Sequence, residues 1–209
     1  MSSPTKQIPA LNEFIQRLAL IPFVSSRNSY RLAEHFLGMH GESMKEFFQA
    51  IIRLRDELSL CERCCGWKEL ATECFWCGSM REQRRICVVE TWIDASAIDR
   101  SGAYQGTYHT LGGAIAPLDG IMPEQLSYEL LLERIEALHP QEVELIIATN
   151  QTPEGEATAS YCLRLLQRIN HDNISVSQLS AGVPVGSALE FIDKLTLSKA
   201  LVYRRQLQI

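Results

Sequence analysis

The chain is 209 residues long, 46% hydrophobic and 22% charged, the balance of an ordinary globular protein with enough apolar material for a buried core. No apolar run approaches the roughly 20 residues that cross a bilayer. The opening MSSPTKQIPA has none of the pattern of a secretory signal, so a cytoplasmic protein with no membrane partner is expected. The net charge of −5 argues against a uniformly basic nucleic-acid binder. Its distribution is uneven, however: residues 1–88 carry 12 Lys/Arg against 10 Asp/Glu, and residues 89–209 carry 8 against 15. DNA contact is therefore expected in the first part, and an acidic surface that faces something else in the second.

In chain order, LNEFIQRLAL (11–20) has apolar residues at helical spacing and is followed by the helix-breaking Pro22. A second helix is predicted from about Asn28 to Leu37. A third covers SMKEFFQAIIRLRDELSL, with Ser43 as N-cap and Glu46 completing a capping box. The cysteine-rich stretch 61–77 follows. Beyond it strands and helices alternate. ICVVE (86–90) and ELIIAT (144–149) read as buried strands, TYHTL (107–111) and ISVSQL (174–179) as weaker ones. IDASAIDR, PEQLSYELLLERIEALH and EGEATASYCLRLLQRI read as helices, with Pro123 suited to a first turn. Such alternation predicts a parallel sheet covered by helices. The fold class is thus α+β or α/β, with a small N-terminal helical unit, a four-cysteine finger, an α/β domain and a C-terminal helical tail.

Seven cysteines, four of them in two Cys-x2-Cys pairs, favour metal binding over a disulfide framework. Cys61 and Cys64, with Cys74 and Cys77, can complete a tetrahedral sulfur site for one structural Zn²⁺ per chain, closed to substrate. Cys65 adjoins Cys64 and competes with it as the second ligand. Cys87 and Cys162 lie in apolar surroundings and read as core. The run Arg81, Arg84, Arg85 reads either as a solvated face or as a phosphate contact.

Glu90 ends the first strand, and ELIIAT runs into NQTPEGE. This arrangement resembles the Toprim domain of topoisomerases, primases and repair nucleases, which pairs a glutamate after the first strand with Asp-x-Asp and a nearby Gly-Glu. Here Asn150 and Thr152 stand in the places of the two aspartates, while Gly155-Glu156 is kept. Mg²⁺ wants hard anionic oxygens, so the loss of two carboxylates predicts no phosphoryl-transfer chemistry. Glu90, Glu154 and Glu156 remain as a vestigial or partner-facing acidic site. Glu156 near a helix start is also explained by the dipole alone.

The order of helical unit, cysteine finger and Toprim-like domain, with the strings RRICVVE, YHTLGGAIAPLDGI, IIATNQTPEGEATA and GVPVGSALEFIDKLTLSKAL, resembles the RecR family over nearly the whole chain. That resemblance implies a non-catalytic mediator of DNA repair and recombination. It would bind DNA and act with RecF-like and RecO-like partners to promote recombinase loading on single-stranded DNA, as a homodimer or a ring-like tetramer. It also implies four segments: a helix-hairpin-helix-like unit over 1–58, the finger over 59–80, the Toprim domain over 84–182 and a subunit-contacting tail over 183–209. Arg27 and Arg31 match basic positions of the family's DNA-binding face and fall on one side of a helix. The family's glycine-rich hairpin reads Ile21-Pro22-Phe23-Val24-Ser25 here, and Phe and Ser do not reach φ > 0 at glycine's low cost, so a reshaped hairpin is expected. Asp193 lies in a tail sometimes described as Walker-B-like, but no phosphate loop occurs in the sequence and no ATPase is expected. The competing reading is an active metal-dependent Toprim nuclease or primase-like enzyme using Glu90 and Glu156.

Overall fold

Four strands form a wholly parallel sheet in the order β4-β3-β5-β6 in the computed structural model, which describes residues 8–169, 172–180 and 182–204. The strands are β3 (Glu82–Val89), β4 (Gly106–Thr110), β5 (Val143–Ile147) and β6 (Ile174–Gln178). Period-two alternation divides β3 between two cores. Ile86 and Val88 join Leu131, Ile135, Leu145, Ile147, Cys162 and Leu166 on one face. Cys87 and Val89 join Ala95, Tyr108 and Ala148 on the other. Burial on both faces is what a central parallel strand requires, and it explains the unbroken apolar run of ICVV. Helices α5 (Tyr128–Glu136) and α6 (Pro153–Ile169) supply the first core, and α4 (Trp92–Arg100) the second. A short helix, α7 (Lys194–Val202), follows; Asp193 caps it by accepting from the amides of Leu195 and Thr196.

The chain divides into two compact units, residues 1–57 and 58–209. The first holds α1 (Pro9–Leu18), α2 (Ser26–Gly38) and α3 (Gly41–Glu57). Phe14, Phe36, Phe47 and Phe48 pack within it, Phe36 stacked on Phe48 and the other ring pairs edge to face or tilted. The second begins with a small antiparallel ladder, β1 (Leu58–Leu60) against β2 (Trp67–Glu69), that carries the cysteine loop.

Three local expectations need correction. The third helix starts at Gly41, with the Met44 amide bonded to the His40 carbonyl, so Ser43 lies inside the first turn and is not its cap. Helix α5 starts at Tyr128. Pro123 opens a separate 3-10 turn (Pro123–Gln125), and extended Leu126 then breaks the helical path to bury its side chain. The first helix begins at Pro9 rather than at residue 11. Among the described residues, no helix is long and apolar enough to cross a membrane.

Candidate functional site

Cys61, Cys64, Cys74 and Cys77 are all buried, and their sulfurs lie within 4.8 Å of one another. Cys61 and Cys77 approach to 3.6 Å, Cys64 and Cys74 to 3.5 Å. A tetrahedral cation with sulfur bonds of about 2.3 Å would set its ligands about 3.8 Å apart, so the cluster fits such an ion. Cys65 lies outside the cluster. It takes φ 56°, its amide closing a turn on the Cys61 carbonyl, and this kink turns Cys64 inward. Cys64 is 0% exposed, and Cys65 is half-buried. The Cys64 thiol is pushed up by its bond to the Cys74 sulfur and by burial, and Cys74 is pushed down by the same bond. A cation would take all four sulfurs as thiolates.

The cysteine loop is fastened to the sheet. Strand β4 is an edge, and its outward amides at Tyr108 and Thr110 donate to the carbonyls of Trp76 and Cys64, each at 2.8 Å. An edge that would otherwise offer free N–H groups is thereby covered. Trp76 packs edge-on against Tyr108, and Gly66 leaves room for it, since a Cβ there would come within 2.6 Å of the indole. Arg81 adds a clamp: Nη2 donates to Asp99 at 2.6 Å, Nε donates to the Phe75 carbonyl at 2.7 Å, and the guanidinium lies over the Phe75 ring. Of the basic run, Arg81 is thus an internal tie and Arg85 pairs with Glu144 at 2.5 Å. Arg84 is exposed and has no ion pair among the described residues. Beside the loop, burial holds the His109 imidazole down at about 4.

The acidic corner has a different character. Glu90 is 6% exposed, and its two oxygens accept from Asn150: the backbone amide at 2.7 Å and the side-chain Nδ2 at 2.6 Å. Thr152, in the other aspartate position, accepts from the Gly155 amide at 3.1 Å and so caps α6. Gly155 is required by close approach, since a Cβ there would stand 2.0 Å from the Asn150 carbonyl oxygen. Glu154 and Glu156 are exposed in the first turn of α6, and Lys199 of α7 donates to Glu156. Sequence reasoning did not foresee Asn150 as a donor or Lys199 as a partner. The signal for Asn150 was present, because an amide in an aspartate's place exchanges an acceptor for a donor.

In the N-terminal unit Arg27 and Arg31 are exposed, one turn apart on α2, and neither has an ion pair among the described residues. Ser25 caps this helix through the Asn28 amide. The preceding turn, closed by the Val24 amide on the Ile21 carbonyl at 3.2 Å, places Phe23 at φ 68°. The hairpin therefore keeps a left-handed residue without a glycine.

A parallel Toprim-type sheet with a four-cysteine loop clamped on its edge defines the class: a Toprim-domain protein bearing a cluster able to hold a metal ion. Family comparison agrees. Residues 84–180 match the model described as "Toprim domain", and residues 182–205 the model described as "RecR, C-terminal". The chain is 41% identical to the recombination protein RecR of Syntrophobacter fumaroxidans, over 94% of this chain and 96% of that one. It is 40% identical to RecR of Myxococcus xanthus (94% and 98% covered) and 36% identical to RecR of Deinococcus radiodurans (96% and 88% covered). The chain belongs to the RecR family of recombination proteins.

Proposed function

We propose that the chain is a non-catalytic mediator of recombinational repair. It binds DNA through Arg27 and Arg31, and acts with RecO-like and RecF-like partners to promote recombinase loading on single-stranded DNA. One observation carries the non-catalytic part: both oxygens of Glu90 are already engaged by amide donors of Asn150. A metal-dependent nuclease needs that carboxylate free, with further anionic oxygens beside it, to clamp a divalent ion on phosphate. Here each oxygen of that carboxylate meets an amide donor instead, and the two aspartate positions hold Asn150 and Thr152.

In this reading Cys61, Cys64, Cys74 and Cys77 hold one structural Zn²⁺ per chain. The ion supplies cross-linking of the loop and no open coordination position. The division into a helix-hairpin-helix-like unit (1–58), finger (59–80), Toprim domain (84–182) and subunit-contacting tail (183–209) belongs to the same proposal. So do a homodimeric or ring-like tetrameric assembly and a cytoplasmic location. Glu154 and Glu156, exposed on α6, would face a basic partner, with Lys199 displaced from Glu156 on engagement. The test is incubation of the purified protein with labelled DNA and Mg²⁺ or Mn²⁺. No strand scission is expected; metal-dependent cleavage that disappears in Glu90→Gln would overturn the reading in favour of the enzyme.

A further inference from the structure

The turn before α2 keeps a left-handed backbone at Phe23, φ 68°, directly after Pro22. Proline followed by a positive φ is the pattern that tight turns reserve for glycine, and an aromatic residue there is strained. The strain wins no packing, because Phe23 is fully exposed. Backbone strain kept at an exposed aromatic points to a ligand that uses the ring. The neighbouring charge indicates which ligand: Arg27 and Arg31 follow on the exposed face of α2, without ion pairs among the described residues.

We propose that Phe23 is a stacking platform for an unpaired DNA base, in the turn that leads into the helix whose two arginines take the flanking phosphates. The ring's flat face and the guanidinium groups match the two halves of a nucleotide, an aromatic face and an anion. In a duplex the base faces are buried in the stack, so Phe23 finds its ligand only where a strand is single. The hairpin then discriminates single-stranded from duplex DNA. This inference rests on the proposed reading that the N-terminal unit binds DNA through Arg27 and Arg31.

The experiment measures binding of the full-length protein to a thymidine oligonucleotide and to a duplex of equal length by fluorescence anisotropy. Phe23→Gly removes the ring and relieves the turn, so loss of folding cannot explain its result. It is expected to weaken single-strand binding about tenfold and duplex binding less than about twofold, while Phe23→Trp retains single-strand affinity. With a strand carrying 2-aminopurine, quenching on binding is expected for the parent protein and is lost in Phe23→Gly. Equal loss on both DNAs, or no loss on either, overturns the stacking. If Arg27→Ala/Arg31→Ala weakens both DNAs while Phe23→Gly weakens neither, the platform fails and the arginine contact survives. If the double arginine variant binds both DNAs like the parent protein, the underlying reading fails and the platform with it.

Discussion

The cysteine loop and the acidic corner are both clusters of metal-type ligands beside the same sheet, but their groups meet different partners. The loop's four sulfurs are buried and meet each other. The corner's carboxylate meets two amide donors from Asn150. The difference is one of completion. Buried sulfurs that meet chiefly one another suit a cation, whereas a carboxylate matched by amide donors has less to gain from one.

The harshest way to break this comparison is to remove the metal. Chelation, or Cys64→Ser, is expected to cost at least about 5 kcal/mol, since folding of such loops is coupled to binding. The loss should spread to the sheet, because the Cys64 and Trp76 carbonyls cap β4. Hydrogen exchange should therefore accelerate at the Tyr108 and Thr110 amides together with the fall in melting temperature. Elemental analysis of untreated protein should find one zinc per chain. An unchanged melt and unchanged exchange after metal removal would make the loop as self-sufficient as the corner.

Asn150→Asp attacks the other side. It replaces the Nδ2 donor with a second carboxylate facing buried Glu90, at an expected cost of about 3 kcal/mol. Two close carboxylates cannot both ionise cheaply, so stability should return as pH falls, or on addition of millimolar Mg²⁺. Denaturant titration at several pH values, with and without Mg²⁺, measures this. The parent protein should show no Mg²⁺ response, and a variant as stable as the parent would mean that the Asn150 side-chain amide is not what completes the corner.

His109 gives a smaller effect of definite sign. Its folded value, about 4, lies below the ordinary 6.5, so on acidification the unfolded chain takes up the proton first. The stability that goes with the neutral imidazole is intact above pH 6.5 and lost as pH falls towards 4, about 2 kcal/mol of it by pH 5. In His109→Gln the slope of stability against pH across this window should fall by about one proton.

These features were unequally legible in the sequence. The two Cys-x2-Cys pairs are local, and short spacing nearly dictates that the thiolates converge. Only the kink at Cys65, φ 56°, decides which of two adjacent sulfurs turns inward. Glu90 was legible as the end of a parallel strand. Its fate was not, because Asn150 lies 60 residues away and its role depends on β3 and β5 being neighbours. The same holds for the edge amides that donate to the cysteine loop and for Lys199 beside Glu156, which no periodicity encodes. The start of α5 was misjudged for a related reason. Pro123 satisfies every local rule for a helix start, but burial of Leu126 overrides it.

The hairpin sharpens the comparison at its smallest scale, where the unmet demand is conformational. Phe23 at φ 68° carries a strain that glycine would not. Phe23→Gly should therefore stabilise the N-terminal unit, against which the greater entropy of glycine in the unfolded chain works in the opposite direction. An aromatic side chain held left-handed costs more than glycine's added freedom, and because the ring is fully exposed no packing is lost. A net gain of about 1 kcal/mol is expected. The measurement is denaturant unfolding followed by hydrogen exchange at α1 and α2 amides, which reports on this unit separately from the sheet. A variant that gains stability while losing single-strand affinity would show that the chain keeps the strained ring for its ligand, much as the cysteine loop keeps four sulfurs for its ion. A variant that loses stability would mean that the phenyl ring supports the turn, and that the left-handed residue is a packing solution.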